Sequence, residues 1–122
     1  MALDVTVVNP LCPSLVNRAA AEPGHALSVA HQRKWQRHGE ACMAEGLVFC
    51  PLAVETLGGW SGSATDQIRR LGVALARANS QDESEAVKHL FGRLSILLMR
   101  GNSSLMLNRV PSYPPPHISG VL

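Results

Sequence analysis

The sequence predicts an α/β fold built on two short parallel strands joined by a helical crossover. Two continuous apolar runs, Leu3-Asp4-Val5-Thr6-Val7-Val8 and Leu47 to Val54, read as buried strands, and about twenty good helix formers separate them. A strand, helix, strand order makes the crossover right-handed and the strands parallel. After the second run, everything reads as helix or tail.

The first run is β-branched and stops at Asn9-Pro10. Pro10 and Pro13 form an extended connector, and Ser14 is placed to cap a short helix that ends at Pro23-Gly24. From His25 to about Glu45 a long helix is expected, with Leu27, Ala30, Trp35, Cys42 and Met43 as its apolar side and Gly46 at C′. Pro51 removes one ladder donor from the second strand and favours an edge or a bulge. Gly58-Gly59-Trp60-Ser61-Gly62 is a loop, and Ser63 to Asp66 resembles a capping box. The helix that follows, to Arg77, carries Ile68, Leu71, Leu75 and Ala78 as a buried stripe. Acids at Asp82, Glu83 and Glu85 start another helix, with Val87, Leu90, Phe91, Leu94, Leu97 and Leu98 as its core face up to Gly101 and a further turn over Ser103 to Arg109. Residues 1–110 form one domain, and 111–122, with four of the eight prolines, form a disordered Pro-rich tail.

Composition narrows the classes. With 46% hydrophobic and 16% charged residues, the 122-residue chain is no disordered polyelectrolyte. Its longest apolar stretches fall far short of the ~18 residues that span a bilayer, and Met1 is not followed by a basic n-region, so neither membrane insertion nor secretion is expected; the protein is placed in the nucleus or cytoplasm. Cys12, Cys42 and Cys50 are widely spaced and expected to stay reduced. The net charge of +2 is not by itself a nucleic-acid footprint, but Arg33, Lys34 and Arg37 form an acid-free basic cluster between His31 and His38.

Two short parallel strands do not make an independently stable sheet. The first strand starts almost at Met1, so the expectation is that N-terminal strands are missing or that a second chain completes the sheet. Asp4 stands out in this setting, because an in-strand carboxylate must sit at a solvated end, pair, or bind a cation. Lys34 and Arg37, three apart on one face of the long helix, are its candidate neighbours.

Ala2-Leu3-Asp4-Val5-Thr6-Val7, then Lys34-Trp-Gln-Arg37-His38-Gly39, then Phe49 through Trp60 resemble, in order and approximate spacing, the C-terminal restriction-endonuclease-like segment of site-specific non-LTR retrotransposon polyproteins, which also carry a reverse transcriptase. The resemblance covers residues 2 to about 109. It implies a partial restriction-endonuclease-like core entered at its third strand. Asp4 corresponds to the second catalytic Asp and metal ligand, Lys34 to the first helical Lys, Arg37 to the second with Arg substituted, and His38 to the Tyr or His position. The family's Pro-Asp pair, on an earlier strand, has no counterpart. Mg²⁺ is therefore expected only if missing N-terminal strands complete the site.

The expected function is thus a fragment of a Mg²⁺-dependent DNA endonuclease that nicks target DNA before reverse transcription, inactive without its first carboxylate strand. DNA is the expected partner, bound weakly and without sequence preference. The alternative is a non-enzymatic nucleic-acid or protein binding module using the Arg33, Lys34 and Arg37 face. Glu55, at the end of the second strand, and Trp60, beside Gly58-Gly59, are candidates for lining the cleft with His38. A third reading gives His38 and Cys42, at i,i+4, to a zinc ion with Cys50 or His31.

Overall fold

The computed structural model describes residues 1–109. The element order is β1 (Ala2–Val8), α1 (Val16–Ala21), α2 (His25–Ala44), β2 (Phe49–Glu55), α3 (Gly62–Ala78) and α4 (Glu83–Arg109). The two strands are parallel neighbours in a two-stranded sheet, in register from Ala2 opposite Phe49 to Val8 opposite Glu55. The expected α/β crossover is present. The tail, residues 111–122, lies outside the described residues. Among the described residues, 1–109, no helix is long and apolar enough to cross a membrane.

The ladder explains how a proline sits inside β2. The Ala2 N–H donates to the Val48 carbonyl and the Thr56 N–H to the Val8 carbonyl, so the even-numbered residues of β1 point their backbone groups at β2. On β2, Ala53 and Glu55 point theirs the other way, accepting from the Ser61 N–H and donating to the Gly59 carbonyl. Pro51 has the same phase, so its missing N–H removes no bond to β1. β2 begins at Phe49, two residues later than the apolar run, because Gly46 turns the chain with φ 68° and the Leu47 N–H is taken by the Cys42 carbonyl.

α2 lies on the face of the sheet that carries Asp4 and Phe49. Ala26, Ala30 and Gly39 are its buried residues, whereas Trp35 and Met43, expected on the apolar side, are exposed. Small residues let the helix approach the strands, and the Trp35 indole folds over Gly39, 3.0 Å from where a Cβ would stand. On the opposite face Leu52 and Val54 are buried, and α3 packs against β2 without reaching β1.

Several expected details are corrected. α1 has Leu15 as its N-cap without a side-chain bond, while the Ser14 hydroxyl instead lies 3.4 Å from Cys12 Sγ. α3 is capped by Ser61, whose Oγ accepts from the Ala64 N–H at 3.3 Å, so the box at Ser63 to Asp66 is not the cap. The buried stripe of α3 is Ala64, Ile68, Gly72 and Ala76; Leu71, Leu75 and Ala78 are exposed. The helix is turned toward its small residues because α4 packs there, with Val87 against Gly72. α4 runs through Gly101 to Arg109 in one piece, since a glycine costs only about 1 kcal/mol within a helix of good formers on both sides. Of its expected core face, Val87, Leu90, Phe91, Leu94 and Leu98 are half-buried and Leu97 is exposed, so the face is the packed side of α4 although no α4 residue is fully buried. α3 is the one element that packs along it.

Candidate functional site

The register of β1 and the phase of α2 bring two sequence-distant charges together. Asp4 points toward α2, and its Oδ2 lies 2.8 Å from Lys34 Nζ. The side chains are 34% and 26% exposed, so the pair sits at a half-open position where neither charge is stranded. Arg37, one turn further along α2, lines an open cleft of about 330 Å³ together with Lys34, Arg33, Thr6, Val7 and Val8. No β2 residue lines this cleft, which places it beside the free edge of β1. Among the described residues neither Arg33 nor Arg37 has an acid within ion-pair distance.

The other candidates fall elsewhere. His38 lies one turn beyond Lys34 and packs edge-on against Phe49, ring centroids 5.9 Å apart, as part of the α2–β2 contact. Glu55 is opposite Val8, four residues from the Asp4 pairing position, or ~13 Å along the strand. Its carboxylate lies against Gly59. Trp60 bridges to Val54 on the edge of β2 remote from β1 and lines a separate cleft with His31 and Leu27. Asp4, Lys34 and Arg37 thus share one locality that His38 flanks, and Glu55 and Trp60 lie outside it.

The carboxylate chemistry of this locality is that of a half-site. Mg²⁺ keeps several waters and is usually held by one or two carboxylates with substrate phosphates. Asp4 is the one acid there, it is already engaged by an ammonium group, and no three His, Cys, Asp or Glu residues cluster among the described residues. The described residues alone do not fit a Mg²⁺ ion. Zinc fares no better: Cys50 is in register with Leu3, on the face opposite Phe49 and His38. Burial raises the Cys50 thiol above its ordinary pKa.

A polar tie at the carboxyl ends of the strands carried no sequence signal. Asn102 Nδ2 donates to the Thr56 carbonyl at 2.8 Å, and Thr56 Oγ1 lies 3.5 Å from Asn9 Oδ1. These contacts fasten α4 to the sheet, and Thr56 and Asn102 border a second cleft of about 490 Å³. Isolated Asn and Thr residues have no periodicity to betray them.

Compared with known proteins, the chain matches no family model, no curated protein and no solved structure.

Proposed function

We propose that the chain is the β1–α2–β2 portion of a restriction-endonuclease-like domain from a site-specific non-LTR retrotransposon, with Asp4, Lys34 and Arg37 as its DNA-facing residues. The observation that carries this reading is the 2.8 Å Asp4–Lys34 pair across a parallel crossover, which unites the strand and helix motifs on which the resemblance rests. In such a domain Lys34 and Arg37 bind the phosphate backbone, and Asp4 supplies one of two carboxylates for a divalent cation. Because Arg37 cannot readily give up a proton, its part is electrostatic. With a single acid, this chain by itself attracts DNA without cutting it.

The test has two arms. Purified chain incubated with supercoiled plasmid and Mg²⁺ is expected to leave the plasmid intact, and robust nicking abolished by Asp4→Asn would overturn the inactivity. Binding to duplex DNA is expected to be weak and to fall with salt, and Lys34→Ala/Arg37→Ala should flatten the log–log salt dependence by ~1 unit, the contact of Arg37, because Lys34 is held by Asp4 in the wild type. Salt-insensitive binding, or binding unchanged in the double variant, removes both residues from the site. A non-enzymatic binding module is the second reading, favoured by Arg33 and Arg37 having no acid partner among the described residues. The genomic frame preceding Met1 separates the two: in-frame Pro-Asp and reverse transcriptase motifs support the endonuclease reading.

A further inference from the structure

Among the described residues, β1 has a free edge whose chemistry is self-complementary. Since its even-numbered residues bond to β2, Leu3, Val5 and Val7 turn their N–H and C=O groups to the open side. Their side chains share one face, away from α2, and are 53%, 59% and 50% exposed. No proline, lysine or arginine blunts this edge, and such an edge pairs readily with another strand. We infer that a second copy of this chain occupies it, the two β1 strands running antiparallel about a twofold axis at Val5, so that two sheets become one of four strands.

The register follows from backbone phase and charge. With Val5 opposite Val5 and Leu3 opposite Val7, each opposed pair consists of residues whose free groups point at one another, so each pair exchanges both hydrogen bonds. The same register gathers Leu3, Val5 and Val7 of both copies into one apolar patch, and a twofold interface requires such a self-matching surface. On the other face Asp4 falls opposite Thr6 of the second copy, not opposite its Asp4. Thr6 borders the cleft holding Arg33 and Arg37, which lack acid partners among the described residues. Each copy therefore brings an acid to the mouth of the other's basic cleft, and the arrangement is reciprocal. A slip of one residue would place the Leu3 backbone groups against residues already bonded to β2. This inference does not depend on the nuclease reading, since it needs only the edge and the two charge groups.

Sedimentation equilibrium of the full chain is the test, with amide hydrogen exchange on the same samples. The wild type is expected to be a dimer that dissociates on dilution, and the amides of Leu3, Val5 and Val7 should lose protection as it does, while those of Leu52 and Val54 keep theirs. Val5→Lys should give a monomer with unchanged circular dichroism. Should that variant fail to fold, the exchange measurement on the wild type still decides. A wild-type monomer at high concentration would overturn the inference. So would a dimer that survives Val5→Lys but is broken by Leu75→Glu/Ile96→Glu, because the contact would then lie on α3 and α4.

Discussion

β1 and β2 are partners residue for residue and nearly equal in apolar content, yet their surroundings are opposite. β2 is covered by α2 on one face and α3 on the other; Pro51, Leu52, Ala53 and Val54 are all buried. Its outer edge is closed as well, by the Gly59 to Ser61 bridge, by Ser63 Oγ 3.5 Å from the Pro51 carbonyl, and by the missing N–H of Pro51 itself. Among the described residues, β1 has α2 on one face, nothing on the other, and an open edge. The difference arises from the loop and helix after β2, which fold back on that strand only. An apolar run thus shows that a strand is able to be buried; its neighbours decide whether it is.

The sharpest way to break this contrast is to place the same charge at two paired positions. Val54 is 1% exposed and its partner Val7 is 50% exposed. Val54→Asp should lose at least ~3 kcal/mol of stability in urea unfolding, from an unpaired buried carboxylate. Val7→Asp should cost less than about 1 kcal/mol in dilute solution. Similar losses would show that the outer face of β1 is covered within one molecule.

A second contrast concerns glycines where α3 meets α4. A Cβ on Gly72 would stand 2.8 Å from Val87 Cγ2 and 3.0 Å from its Cα, whereas Gly92 has nothing within 4 Å. Gly72→Ala should destabilise by ~1–3 kcal/mol by prising the helices apart. Gly92→Ala should raise stability by about 0.5–1 kcal/mol. Thermal unfolding of both variants checks the pair, and a neutral Gly72→Ala would contradict the close packing of Val87.

The smallest effect lies at Cys50, where the covered and bare strands meet. Burial keeps its thiol protonated above the ordinary value, so alkylation in the native state should be slower than in urea at mildly alkaline pH. Since the unfolded thiol ionises first as pH rises, this group subtracts stability on the alkaline side and nothing at neutral pH. Equal native and denatured alkylation rates would remove the burial.

How much of this was legible in the sequence depended on the range of the signal. The parallel crossover was, because strand-like runs, a long helical stretch and Gly46 are local features. Asp4 was visible as a charge in an apolar strand, and Lys34 as its neighbour through helical spacing. The α3 stripe was misplaced because hydrophobicity favours Leu71 and Leu75, while packing chose Gly72 and Ala76 for close approach. The full length of α4 was hidden by Gly101, a stop signal that flanking residues override. The Thr56–Asn102 tie and the one-sided cover of β1 are tertiary outcomes that no short window contains.

On the proposed reading, the restraint of Lys34 by Asp4 holds one cation back from a face that attracts phosphate. Its most direct test is duplex DNA binding by wild type and Asp4→Asn across a salt series, with divalent cations chelated. The substitution removes a negative charge and frees the ammonium group 2.8 Å away, so binding should tighten and the salt dependence should steepen by ~1 unit. Weaker binding by Asp4→Asn, or an unchanged affinity and slope, would contradict the account.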